Sequence, residues 1–324
     1  MNKIAFTTSI PVEIIIAANK TPIDLNNLFI AAQRPQDLID IAEEAGYPRT
    51  TCGWIKGLYS VALNEELEAL IAVMVGDCSN TQALMETLQL KGVKIIPFAY
   101  PFDRDPVSLK HQMAKLMAYF GVNEQQVEEV RASLQPIRDL CRQLDKMTWE
   151  DNLISGEENH YFLVSSSDFN RDWGKFQEEL KTFITEASKR QPYQDKVRLA
   201  YIGVPPIYTD LYSFLESLGA RVVYNEIQRQ FSMPFNCKNI VEQYITYTYP
   251  YGAFARLQDI KVEIAKRKID GIIHYTQSFC YRQIEDLIFR EKLGLPFLTL
   301  EGDRPGRVDA RNRMRLEAFV NMLK

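Results

Sequence analysis

The chain carries five cysteines, Cys52, Cys78, Cys141, Cys237 and Cys280, and their thiols are the groups best suited to chemistry. Deprotonated, a cysteine is a soft ligand for iron or zinc and a strong nucleophile. No CxxC pair is present, so the spacing alone writes no compact metal motif. Three of the five nevertheless occupy similar places. Cys78 follows the apolar run Ile71–Val75 through Gly76-Asp77, and Cys280 follows Gly271–His274 through Tyr275–Phe279. A helical pattern comes after each. Cys52 closes the turn Gly46-Tyr47-Pro48-Arg49-Thr50-Thr51-Cys52-Gly53, ahead of a short helix carrying Lys56. A thiol at a helix N-terminus is biased toward thiolate by the backbone N–H groups and the helix dipole. Position alone leaves three readings open: a metal site, buried structural thiols, or one nucleophilic cysteine. Cys141, within a helical stretch at Leu140-Cys141-Arg142, reads as a small buried apolar residue, and Cys237, after Pro234-Phe235-Asn236, reads the same way.

The elements that must position these residues alternate between strand and helix. Short strands are expected at Ile4–Thr8, Leu28–Ala31, Ile71–Val75 and Val93–Pro97, with helices over Pro35–Ala45 and Thr81–Leu90. The unbroken apolar run Ile71–Val75 suits a parallel sheet covered on both faces. From Pro106 to Trp149 the pattern is helical, with starts at Asp105 and near Asn123. His160–Ser165 reads as a strand and Trp173–Ser188 as an amphipathic helix. Strands at Val197–Ile202, Ala220–Tyr224, Gly271–His274 and Pro296–Leu300 alternate with helices at Thr209–Leu218, Ala253–Arg267 and Tyr281–Lys292, and a helix closes the chain at Ala310–Leu323. The predicted fold is α/β: two Rossmann-like, doubly wound parallel-sheet domains with a helical insertion, over residues 1–160 and 161–324. In such sheets ligands bind outside the carboxyl ends of the strands, where Cys78 and Cys280 fall.

With 324 residues, 46% of them hydrophobic and 25% charged, the chain can bury the cores this requires. Its net charge of −4 gives no pull toward nucleic acid or an anionic membrane. The start Met1-Asn2-Lys3-Ile4-Ala5-Phe6 lacks the layout of a signal peptide, and no apolar run approaches the ~20 residues of a membrane span. An odd number of widely spaced cysteines builds no disulfide framework. A reducing cytoplasm is the expected setting.

Four segments together resemble the 2-hydroxyacyl-CoA dehydratase family, which includes benzoyl-CoA reductase subunits and double-cubane cluster proteins. They are Ala45–Gly57, Gly76-Asp77-Cys78-Ser79-Asn80, Tyr275–Cys280, and Leu300-Glu301-Gly302-Asp303-Arg304-Pro305-Gly306 with Arg313–Phe319. The resemblance runs from about residue 45 to 320. It implies that Cys52, Cys78 and Cys280 hold an iron–sulfur cluster between the two domains, as a [4Fe–4S] cube or, alternatively, part of a double-cubane [8Fe–9S] cofactor. It further implies an acyl-CoA thioester substrate, reduced by one electron to a ketyl radical that expels a β-positioned hydroxyl, with the electron delivered by a separate ATP-hydrolysing activator. A homodimer or a heterodimer with a related subunit is implied as well. The chain carries neither a P-loop nor a GxGxxG fingerprint after a strand. Glu301 and Asp303, past the last strand, are candidates to take a proton or orient substrate, and Arg49, Lys56 and Arg304 to meet CoA phosphates. His274 ends an apolar strand and reads as a core histidine; His111 and His160 carry no signal. A non-catalytic cluster carrier and a zinc-stabilised structural protein are the rival readings.

Overall fold

The computed structural model describes residues 2–324, built around two four-stranded parallel sheets. The first contains β1 (Lys3–Phe6), β2 (Thr21–Asp24), β3 (Ala69–Val75) and β4 (Ile95–Ala99) in the order β2-β1-β3-β4. The second contains β5 (Val197–Gly203), β6 (Ala220–Asn225), β7 (Gly271–Gln277) and β8 (Phe297–Gly302) in the order β6-β5-β7-β8. Each sheet therefore winds outward, returns across its first strand and winds the other way. The reversal opens a crevice at the carboxyl ends of β1 and β3 in one sheet and of β5 and β7 in the other. All seven residues of β7 are buried, as expected for a strand covered on both faces.

Two expected strands are helices. At Leu28–Ala31 the chain is already in the helix Leu25–Ala31, capped by Asp24, whose side chain accepts from the Asn26 N–H. The strand comes earlier, at β2, where Pro22 is tolerated because β2 is an edge. His160–Ser165 lies in the helix Gly156–Ser165, started by a reciprocal capping box between Ser155 and Glu158. A single turn of 3₁₀ helix, Tyr281–Gln283, and the helix Asp286–Leu293 replace the continuous helix expected after Cys280. Elsewhere the caps fall as predicted, with Asp105 starting Pro106–Phe120 and Asn123 starting Glu124–Trp149, which continues through Pro136.

This helical region is fastened to both sheets by buried charge. Glu13, on the helix Val12–Ala17, is 0% exposed and sits 2.5 Å from the Arg138 guanidinium, with Gln243 Nε2 at 2.8 Å and the Tyr244 hydroxyl at 2.9 Å. At the other end of the long helix, Asp145 accepts from Arg267 Nη2 at 2.6 Å. Burial alone would raise the Glu13 carboxyl, but the Arg138 charge and the surrounding hydrogen bonds bring it below its ordinary value. Its stabilising contribution is therefore complete above the unfolded-state pKa and is lost as pH falls through the lower folded-state pKa. Glu13→Gln leaves a buried guanidinium uncompensated and is expected to lower unfolding free energy by about 3–5 kcal/mol at pH 7, measured by urea denaturation. The deficit should shrink as the wild-type carboxyl titrates.

Candidate functional site

The two crevices open onto one cavity. Thr7 and Thr8 follow β1, Asp77 and Cys78 follow β3, Val204 and Pro205 follow β5, and Cys280 follows β7; all line it, together with Cys52. Its interior volume is about 100 Å³.

Each cysteine is set by its backbone. Cys52 is the N-cap of the helix Gly53–Asn64. Its neighbour Gly53 packs so closely on the loop after β8 that a Cβ there would lie 2.8 Å from the Asp303 carbonyl oxygen. Cys78 follows Gly76, whose φ of +97° and contacts with Tyr100 and Pro250 admit no side chain; the Thr81 N–H donates to the Cys78 carbonyl at 3.0 Å. Cys280 follows Phe279, which has φ 65°, and its N–H donates to the Gln277 carbonyl at 3.0 Å. Gly53→Ala should therefore push the Cys52 loop from the Asp303 loop at a cost of about 1–3 kcal/mol. By contrast, Gly174→Ala, in the helix Trp173–Ala187 with room for the methyl, should be neutral or stabilising. Thermal unfolding of the two variants checks this.

The sequence suggested that helix N-termini would favour thiolates here, and burial reverses that. Desolvation, with the charge of Cys280 adding to it, lifts the Cys52 thiol to about 12, and the N–H groups of Ile55 and Trp54 offset only part. Burial and the Asp77 charge lift Cys78 to about 12 as well. Cys280 is raised by burial against the pull of the Arg282 N–H and guanidinium. The three thiols are close enough for their charges to affect one another, and burial keeps all three protonated at neutral pH in the protein alone. Among the described residues, no three Cys, His, Asp or Glu side chains converge tightly enough to grip a single metal ion. The donor set is three cysteine sulfurs spaced around a cavity, which as thiolates would fit a multi-iron cluster better than one ion. Cys141 is 0% exposed, packed in the core with Leu134, Ile137 and Leu144 of its own helix, and the Cys237 sulfur lies 3.3 Å from Thr246 Oγ1. Neither lines the cavity.

The remaining lining combines aliphatic residues such as Ile55, Leu58 and Val164 with polar and aromatic ones. Asp24, Asn26 and Asn27 start the helix after β2, and Asp24 is held by Ser167 Oγ at 2.7 Å. Arg282 is buried between the rings of Tyr249 and Tyr281, 4.7 and 5.3 Å from their centroids, and donates to the Tyr249 carbonyl at 3.1 Å. His160 completes the lining.

The other residues singled out from sequence lie elsewhere. Lys56 is 3% exposed and its ammonium is held by Glu43 at 2.7 Å, so it fastens the Cys52 loop to the helix Pro35–Glu44 and presents no charge to a phosphate. Arg49 projects into solvent, its side chain 90% exposed, with Glu43 at 3.9 Å, and Arg304 lies 3.9 Å from the same carboxylate. Glu301 accepts from Ser278 Oγ at 2.7 Å, and Asp303 offers its backbone carbonyl to Gln277 Nε2 at 2.6 Å. Both line a separate surface depression with Tyr208 and Asp309, behind the cavity wall. His274 is a core residue, its Nδ1 2.9 Å from Asp286. Asp24, His160 and Arg282 were missed: the capping pattern Asp24-Leu25-Asn26-Asn27 and the Ser155–Glu158 box were legible signals for the first two, and nothing local marks Arg282.

No helix among the described residues is long and apolar enough to cross a membrane. No curated protein matches the chain. A family model for the 2-hydroxyglutaryl-CoA dehydratase D-component matches residues 7–323, taking in every strand after β1 and every segment that lines the cavity. With nearly its whole length matched, the chain belongs to the 2-hydroxyglutaryl-CoA dehydratase D-component family.

Proposed function

We propose that this chain is the cluster-bearing component of a 2-hydroxyacyl-CoA dehydratase-like or acyl-CoA reductase-like system, with Cys52, Cys78 and Cys280 as the ligands of a [4Fe–4S] cluster. The observation that carries the reading is the meeting of these three thiols, two from strand–helix connections of different sheets and Cys52 from the turn between two helices, in one cavity at the crevices of both sheets. When bound, such a cluster supplies low-potential one-electron chemistry and, with only three protein thiolates, an iron open to another ligand. The chain's own residues supply the setting. Gly53 and Gly76 hold the cysteine loops close, Arg282 places a fixed buried cation beside Cys280, and Asp24, Asn26 and Asn27 offer polar groups on the wall beyond the cysteines.

Membership of a dehydratase component family favours an enzyme over a cluster carrier. Only three cysteines line the cavity, which favours one cube over a double-cubane cofactor. Incubating the anaerobically reconstituted protein and its activator with 2-hydroxyacyl-CoA thioesters should produce the α,β-unsaturated thioester, seen by its ultraviolet absorbance. An absence of turnover across 2-hydroxyacyl-CoA and aromatic acyl-CoA substrates, with cluster and activator both active, would favour the non-catalytic reading.

A further inference from the structure

His160 stands on the cavity wall, four residues before Val164, which lines the same space from the same helix. Its ring lies against Tyr212 with 5.2 Å between centroids, and Nδ1 is 3.2 Å from Gln228 Nε2. Nε2 makes no hydrogen bond with any described residue and is not among the sealed, unpartnered groups.

The position of the imidazole proton follows from the far end of a hydrogen-bond chain. Asp145 is ionised, because the Arg267 charge outweighs the effect of its burial, so it only accepts. Asn159 therefore turns its amide nitrogen toward Asp145 at 3.3 Å and Thr148 at 3.0 Å. Its Oδ1 is left to accept from Asn225 Nδ2 at 2.8 Å. Asn225 Oδ1 then takes the Tyr212 hydroxyl proton at 2.9 Å. With that proton committed, the Tyr212 oxygen can only accept, so Gln228 turns Nε2 toward it at 3.4 Å and gives the other hydrogen of the same amide to His160 Nδ1, leaving Gln228 Oε1 buried without a partner. Nδ1 is the acceptor, so the neutral ring carries its proton on the free Nε2. Burial holds the imidazole down at about 4, which keeps it neutral at physiological pH.

We propose that His160 is a substrate-recognition residue whose Nε2–H donates to an acceptor oxygen of the molecule in the cavity, and, resting on the acyl-CoA reading above, that this oxygen is the thioester carbonyl. A donor-only edge matches an acceptor-only oxygen. The same hydrogen bond strengthens as negative charge develops on that oxygen, and a neutral donor adds no second fixed cation to a cavity that already holds Arg282.

The test compares butyryl-CoA with its thioether analogue S-butyl-CoA, which lacks the carbonyl oxygen, by titration calorimetry on the anaerobically reconstituted protein. Wild type should bind the thioester about tenfold more tightly, the worth of one hydrogen bond. His160→Phe should bind the two probes alike, and His160→Gln, which retains an N–H donor, should recover part of the difference. Long-range proton–nitrogen spectra of histidine-labelled protein should show Nε2 protonated and Nδ1 bare. The opposite tautomer, or discrimination that survives in His160→Phe, overturns the assignment. Equal binding of both probes by wild type overturns the hydrogen bond while leaving the acyl-CoA reading in place. Binding of neither probe overturns that reading and, with it, the ligand named here.

Discussion

Cys52→Ser, Cys78→Ser and Cys280→Ser are each expected to strip the protein of its cluster, with iron falling toward zero and the brown absorption lost, while Cys141→Ser and Cys237→Ser retain both. A serine hydroxyl is a hard, weakly acidic donor and a poor substitute for thiolate on iron. The three cavity cysteines come from connections around both sheets, whereas Cys141 and Cys237 lie outside the cavity. Iron binding must also displace the thiol protons, which burial holds to about 12 on Cys52 and Cys78. Reconstitution of the apo protein should accordingly weaken as pH falls, since metal then competes with more tightly held protons. Because Cys280 belongs to the second sheet and Cys78 to the first, a cluster bound to both adds to the stability of the assembled fold by mass action. The apo protein and the three ligand variants should melt lower than the loaded wild type. Full iron retention in any one of them removes that cysteine from the site.

Turnover is expected to be all or none with respect to a partner: absent for the isolated protein with a chemical reductant, and present when an ATP-hydrolysing activator and a low-potential donor are supplied. The chain carries no P-loop and no GxGxxG after a strand, so no common site for ATP or a dinucleotide is written in it. A thioester carbonyl is hard to reduce by one electron. The potential of a cluster is set by its charge, hydrogen bonds and exposure, and the fixed positive charge of Arg282 beside Cys280 would move that of a cluster held there upward, away from so demanding a substrate. ATP hydrolysis in a partner can supply the missing drive. The assay runs purified protein with acyl-CoA thioesters anaerobically, with and without activator and ATP. Steady turnover without ATP contradicts this account.

The strand before Cys78 was legible because a covered parallel strand is a continuous apolar run, as Ile71–Val75 is, and the strand before Cys280 from its place in the alternation of strands and helices. The loops after them were legible for the same reason, since a sheet's topology dictates where its crevice lies. Asp105 and Asn123 announced their helices through capping chemistry. Capping chemistry also marked Ser155–Glu158, but the apolar run Tyr161–Val164 reads equally well as a strand, and reading His160–Ser165 that way hid His160. Lys56 looked like a phosphate ligand because nothing local reveals that Glu43, thirteen positions earlier, claims its ammonium. The tautomer of His160 rests on a chain that runs from Asp145 through Asn159, Asn225, Tyr212 and Gln228, residues brought together only by the packed fold.

The most direct test of the central claim is iron and acid-labile sulfide analysis of the anaerobically purified full-length protein, alongside its zinc content. One [4Fe–4S] cluster on Cys52, Cys78 and Cys280 predicts about four iron and four sulfide per chain, with a broad visible absorption that bleaches on reduction. Stoichiometric zinc, or a colourless protein without iron after anaerobic reconstitution, would contradict it.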